Sequence, residues 1–355
     1  MNSIEKIDKN FAVSGEYPEG TVFHDVKSEP FKIYGIYHDG VQYRRLPQDV
    51  ADSVNEGVSF LARHTAGGRV RFVTDSPFVV LNAKVGERYY SAKMAPMAVS
   101  GFDMYERIDG EEVFVKSFIP PEKPCAEYVN TIPLAEDKKE RVLTINFPNY
   151  NEVFEVYIGL LDGSVIKEAP EYEITKPIVY YGSSVTQGGS CTRPGNSYQG
   201  MISRALNADY INLGFSGSAR AEKEIIEYIA NLDMSVFVYD YDHNAPDFAH
   251  LAATHSQMFH LFREKHPTTP VILTTKPKHV QNADDRLRHA HILANYEGFL
   301  HDDHDENVYF ISGPDLLKLA HGEGTIDGIH PNDLGFYSMA QGFLPILKEI
   351  FAKQK

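Results

Sequence analysis

From Pro177 onward the chain alternates short apolar runs with amphipathic stretches of helix length, and this alternation restricts the possible folds more than any other feature. The runs Ile178–Tyr181, Tyr210–Leu213, Val236–Tyr239, Val271–Thr275 and Val308–Ile311 are apolar at most positions. Strands buried on both faces of a parallel sheet read this way. Between them, Ser197–Leu206, Glu222–Ala230, Phe248–Lys265 and Leu287–Leu300 are long enough to serve as crossovers. Because such crossovers are right-handed, the expectation is an α/β unit: a five-stranded parallel sheet covered by helices on both faces.

Residues from about 20 to 170 follow a different pattern. Stretches such as FKIYGIYHDGVQYRRL, GRVRFVTDSPFVVLNAKV and YERIDGEEVFVKSF alternate apolar and polar residues around Asp-Gly and related turns. That pattern predicts antiparallel strands, and only Gln48–Arg63 reads as a helix. The expected organisation is an N-terminal β-sandwich with jelly-roll-like packing over residues 1–172 and the α/β unit over 173–355, with the boundary near Pro170 to Pro177. At 355 residues two units are the default, since single cores stop growing beyond about 300 residues.

Charge narrows the partners. A formal net charge of −15 repels a phosphate backbone, and no Lys/Arg-rich stripe reverses it locally, so neither nucleic acid nor an anionic membrane is an expected partner. No run reaches the about 18 apolar residues that would cross a bilayer. The start, MNSIEKIDKNF, lacks the flank and apolar stretch of a secretory signal, and Cys125 and Cys191 cannot build a disulfide framework. A cytoplasmic location is therefore expected.

In open parallel sheets, ligand sites lie beyond the carboxyl ends of the strands, which directs attention to four segments. The first expected strand runs into Gly182-Ser183-Ser184-Val185-Thr186-Gln187-Gly188, so Ser184 emerges on a strand-to-helix turn whose N–H groups favour negative charge. Helix capping explains the same two serines equally well. The second strand ends in Asn212-Leu213-Gly214-Phe215-Ser216-Gly217-Ser218, where Gly217 offers either an oxyanion N–H or a plain turn. After the third come Asp240-Tyr241-Asp242-His243-Asn244, with Asn244 as oxyanion donor or Asx-turn residue. The last is Thr325-Ile326-Asp327-Gly328-Ile329-His330-Pro331, in which Asp327 can reach Nδ1–H of His330 and leave Nε2 to take a serine proton. Asp240/His243 and Asp247/His250 repeat the Asp-x-x-His spacing, so position decides. Only Asp327/His330 follows the fifth strand and precedes a terminal helix, with Pro331 suited to that helix's first turn.

In order and spacing, these four segments resemble the signature blocks of the SGNH/GDSL hydrolase superfamily across roughly residues 177 to 350. The resemblance implies a flavodoxin-like sheet and a serine esterase, with Ser184 as nucleophile, Asp327 and His330 as its base, and Ser184, Gly217 and Asn244 around the oxyanion. It implies no cofactor and no metal. Two positions depart from the pattern: Ser183 stands where the family has Asp, and Asp242 where it has glycine, setting a carboxylate beside the oxyanion hole. Gly101-Phe102-Asp103-Met104-Tyr105, read as the end of a strand, is similar to the Gly-x-Asp-Leu-Tyr motif of a two-domain subgroup with an N-terminal β-sandwich. Two-domain relatives of that kind are often carbohydrate esterases. The expected substrate is accordingly a short-chain, acetyl-type ester on a small molecule or oligosaccharide, with Asp103, Tyr105 and Asp242 as substrate contacts.

Three alternatives remain open on sequence alone: an acyltransferase at the same site, a non-catalytic carbohydrate-binding protein, and a metal-dependent hydrolase using Asp240, Asp242 and His243. The remaining histidines, His250, His255, His260 and the His301–His304 stretch, read as surface residues. Oligomeric state has no sequence signal here.

Overall fold

The computed structural model describes residues 15–88 and 91–354; the start MNSIEKIDKNF lies outside the described residues. Eight longer strands build the two sheets of the N-terminal half: β1 (Thr21–Asp25), β2 (Arg69–Thr74), β3 (Phe78–Val85), β4 (Phe102–Ile108), β5 (Glu111–Phe118), β6 (Glu127–Pro133), β7 (Arg141–Asn146) and β8 (Val153–Leu161). They make two antiparallel sheets, ordered β1-β8-β3-β6 and β2-β7-β4-β5, which is the jelly-roll pairing. Short strands at Lys32–Tyr34 and Ile166–Lys167 extend the second sheet. The inner faces share one core: Val79, Leu81, Val156 and Ile158 from the first sheet meet Phe72, Phe102, Met104, Leu143 and Ile145 from the second. The motif Gly101–Tyr105 begins β4 rather than ending a strand, because Gly101 is the cap of a short helix, Pro96–Ser100.

The C-terminal half contains the expected parallel sheet. Its strands are β9 (Ile174–Gly182), β10 (Ala208–Gly214), β11 (Val236–Asp240), β12 (Val271–Thr274) and β13 (Val308–Ile311), ordered β10-β9-β11-β12-β13. This is the flavodoxin-like order, whose direction of winding reverses between β9 and β11. A crevice at the carboxyl ends of these two strands is the place such a sheet holds its ligand.

Besides the short helices Pro96–Ser100 and Gly313–Leu316, the α-helices are α1 (Gln48–Val54), α2 (Glu56–Leu61), α3 (Ser184–Gln187), α4 (Tyr198–Leu206), α5 (Lys223–Ile229), α6 (Phe248–Lys265), α7 (Ala283–His301) and α8 (Asp333–Lys353). On one face of the sheet, α4 and α8 bury Tyr198, Ile202, Phe336, Phe343 and Leu347 against Tyr180 and Val238. The opposite face is covered by α5, α6 and α7, joined by Leu46, Ala51, Val58 and Leu61 from the N-terminal half. The single helix expected over Gln48–Arg63 is split at Asn55, which is extended (φ −169°) and caps α2 through its side chain. The sandwich half thus lends two helices to the core of its neighbour. Among the described residues, no helix is long and apolar enough to cross a membrane.

Candidate active site

Where β9 ends, Gly182 is so close to the Asp240 carbonyl and the Thr186 side chain that a Cβ has no room. The chain turns there into α3. Ser183 takes the capping role, its hydroxyl accepting from Val185 N at 3.2 Å, and this leaves the Ser184 hydroxyl available. The Ser184 Oγ lies 3.1 Å from His330 Nε2, a contact spanning 146 residues of chain. From the sandwich, the Tyr150 hydroxyl donates to the Ser184 carbonyl at 3.2 Å.

His330 sits on a tight turn closed by Ile326 N donating to His330 O at 3.0 Å. Gly328 has φ +83°, a conformation that reverses the chain and brings the imidazole back over the carboxylate. Asp327 Oδ1 accepts from the backbone N–H groups of Ile329 (3.1 Å) and His330 (2.8 Å). Its Oδ2 is 2.9 Å from His330 Nδ1 and 2.8 Å from Lys93 Nζ. Partial burial pushes the Asp327 carboxyl up, but the His330 N–H, Lys93 and the imidazole outweigh it and hold the group well below the usual carboxylate range. With Nδ1–H donated to an ionised carboxylate, the lone pair of the ring is on Nε2, facing Ser184. Pro331 lies outside the first turn of α8, because Asn332 is the cap and the helix starts at Asp333.

The loop after β10 is positioned largely by side chains from elsewhere. Gln187 Oε1 accepts from Ser216 N at 3.0 Å, while Gln187 Nε2 donates to Asn149 O at 3.1 Å. Buried Arg45, from the sandwich half, donates to the carbonyls of Asn212 (3.1 Å) and Gly214 (2.6 Å). Gly217 then takes φ +70° with open space where a Cβ would point. Asn244 Nδ2 donates to Phe215 O at 2.9 Å, so that side chain is tied to the same loop.

Asp242 is not placed to touch a substrate. It is buried, with Oδ2 accepting from Lys276 N at 3.0 Å and Oδ1 lying 3.6 Å from Arg288 Nη1. Burial pushes this carboxyl above the usual range, against the opposing pull of Lys276 and Arg288. Asp103 and Tyr105 are also buried, against the expectation that they meet a sugar. Asp103 Oδ1 accepts from Asn146 Nδ2 (2.7 Å), and Oδ2 accepts from Arg193 Nη1 (2.9 Å) and Gly195 N (2.8 Å). The Tyr105 hydroxyl bonds the same guanidinium, and a Cβ on Gly195 would meet that hydroxyl at 2.6 Å. The motif therefore clasps residues 193–195 of the other half. The neighbouring Thr192 reaches onward, its N–H donating to Asp333 Oδ1 at 2.9 Å, three residues beyond His330.

Among the described residues, no group of three or more His, Cys, Asp or Glu side chains is disposed to hold a metal ion. Asp240 instead bonds Thr186 Oγ1 at 3.4 Å, and burial, then the Asp242 charge, push its carboxyl up to about 8. Burial pushes the His243 imidazole down to about 3. His255 is a core residue rather than a surface one, stacked on Tyr239 with ring centroids 5.1 Å apart. Four of the side chains that organise the site, Lys93, Arg45, Tyr150 and Arg193, carry no sequence signal of that role. Gln187 lies within the first block, where an amide side chain gives no sign that it bridges Ser216 and Asn149.

Comparison with known proteins bears on the family and the fold. The GDSL-like lipase/acylhydrolase family matches residues 175–348, and the N-terminus of SGNH-hydrolase-type esterases, named for its GxDLY motif, matches residues 21–166. A candidate GDSL-like lipase from Bacteroides ovatus is 27% identical with a TM-score of 0.84, over 94% of this chain and 98% of that one. The fold is shared with the salicylyl-acyltransferase SsfX3 of a tetracycline biosynthetic pathway (17% identity, TM-score 0.76, 94% and 98% covered). It is shared too with the acetyl xylan esterase Est2A of Butyrivibrio proteoclasticus (11% identity, TM-score 0.61, 94% and 99% covered). No curated protein matches in a sequence search. With both halves matched in chain order, and 94% of the length superposing on a GDSL-like relative, the chain belongs to the SGNH/GDSL hydrolases, in the two-domain group with an N-terminal sandwich, and is a carboxylic ester hydrolase.

Proposed function

We propose that this enzyme removes a short acyl group, acetyl foremost, from a carbohydrate hydroxyl through an acyl-enzyme on Ser184. The observation carrying the reading is the continuous hydrogen-bonded line from Ser184 Oγ to His330 Nε2 (3.1 Å) and from His330 Nδ1 to Asp327 Oδ2 (2.9 Å). His330 takes the hydroxyl proton as Ser184 Oγ attacks the acyl carbon, and the carbonyl oxygen becomes an oxyanion. The proposed donors to that charge are the N–H groups of Ser184 and Gly217, which have no acceptor among the described residues, and the second amide hydrogen of Asn244. His330 then returns the proton to the departing sugar oxygen. Water, deprotonated by the same ring, attacks the ester and releases the acid. No cofactor enters the cycle.

The inward pairing of Asp242 with Lys276 and Arg288 supports an active site over a decayed one, because its carboxylate is not left to oppose the oxyanion. The carbohydrate part of the reading draws on the shared architecture with esterases such as the acetyl xylan esterase above. The test is turnover of short aryl esters and acetylated sugars by the wild type and by Ser184→Ala. Loss of at least about a hundredfold is expected on removing the nucleophile. Wild-type-like turnover by the variant would sink the serine mechanism. Free acid is the expected product even with an added acceptor alcohol, and a dominant new ester would make the enzyme a transferase.

A further inference from the structure

Resting on the proposed triad, we infer that Lys93, supplied by the sandwich domain, sets the pH range of catalysis by sharing Asp327 Oδ2 with the imidazole. The geometry is specific. A carboxylate has about four acceptor positions, and all those of Asp327 are in use: two backbone N–H groups on Oδ1, and His330 Nδ1 and Lys93 Nζ on Oδ2. The lysine arrives from 234 residues away and from the other half of the molecule. Its side chain is 60% exposed whereas that of Asp327 is 18% exposed, so the ammonium approaches the partly covered carboxylate from the solvent side.

The consequence is electrostatic. A carboxylate behind a catalytic imidazole favours the imidazolium that forms when the serine is deprotonated. A cation on the same oxygen cancels part of that field, so removing it is expected to strengthen the carboxylate's hold on the imidazolium. Other titratable groups border the ring without replacing this one. His243, from the loop after β11, is held neutral by burial, with Lys276, Lys278 and Asp285 around it. The Tyr150 hydroxyl, from the sandwich, flanks Gly189 beside the ring edge. Asp327 belongs to the same turn as the ring. As an exposed pair, Lys93–Asp327 adds little to stability, so its removal is expected to leave Tm unchanged.

Labelling of Ser184 by a fluorophosphonate gives a readout that needs no natural substrate. The serine oxygen bonds phosphorus, fluoride leaves, and His330 takes the proton. In Lys93→Met the acid limb of the labelling rate is expected to move up by about half a pH unit or more at low salt, a shift that shrinks in high salt. Lys93→Arg, which keeps the charge, is expected to follow the wild type. A Lys93→Met limb that overlays the wild type would overturn the inference, as would Lys93→Arg behaving like Lys93→Met. A uniform loss of rate with the limb unmoved would also overturn it, making the lysine an orienting prop. Failure of the wild type to label at Ser184 is a separate result, and it removes the triad reading instead.

Discussion

The turn at Asp327–His330 and the start of α6 at Asp247–His250 begin from the same local bond. In each, the aspartate Oδ1 accepts the backbone N–H of the histidine three residues on, at 2.8 Å in both cases. They diverge at the next step. After Asp247 the chain continues as an 18-residue helix, which carries the His250 ring outward until its Nε2 meets the Arg220 carbonyl at 2.8 Å. After Asp327, Gly328 at φ +83° breaks any helix, and the ring folds back onto Oδ2 with Nε2 facing Ser184. The third copy of the spacing, Asp240/His243, forms no such bond: Asp240 is buried and joined to Thr186. One glycine and the course of the following backbone separate a helix cap from the pair proposed as base and orienting carboxylate.

Three substitutions test that separation. Asp327→Asn is expected to cost about a hundredfold or more in kcat while leaving Tm nearly unchanged, because the amide favours the wrong imidazole tautomer. Steady-state kinetics beside a thermal melt would show it, and a loss under tenfold would reduce Asp327 to a turn residue. Asp240→Asn acts on stability instead. With the carboxyl pushed up to about 8 by burial and then by Asp242, the native chain keeps a proton that the unfolded chain releases above about pH 4. Stability therefore falls as pH rises between these values, and the variant is expected to flatten that slope by a few kcal/mol. Melts at pH 5 and pH 8 measure it, and an unchanged slope would mean that Asp240 is ionised. The smallest effect is expected from Asp247→Ala, which removes a helix cap worth about 1 kcal/mol and leaves catalysis alone. A fall in kcat at constant Tm would mean that the two Asp-x-x-His copies are more alike than their surroundings suggest.

Much of the fold was legible before any coordinates. Strands buried on both faces must be apolar at every position, and the five expected runs match β9 to β13 to within a few residues at each end. Helix ends were legible where side chains cap them, as with Asp247 before α6. The helix expected over Gln48–Arg63 was misjudged because Asn55 supplies a cap in mid-stretch, and a cap residue in an amphipathic stretch reads as an ordinary polar position. Asp103 and Tyr105 were misjudged for another reason. Acidic and phenolic side chains suit a sugar and a buried guanidinium alike, and Arg193 lies 88 and 90 residues away.

What the sequence determined by itself was the alternation of elements, the two-part organisation and the four segments gathered at one rim of the parallel sheet. Those are properties of local pattern and of the limited ways a parallel sheet can be wound. Position along the chain already favoured Asp327/His330 among the Asp-x-x-His copies; only the tertiary structure decided where the buried Asp242 carboxylate finds its hydrogen bond, and that Lys93, Arg45 and Tyr150 cross from the sandwich to the site. Those contacts join residues 34 to 234 positions apart. Their energy depends on distance and burial, and neither exists until the chain has folded.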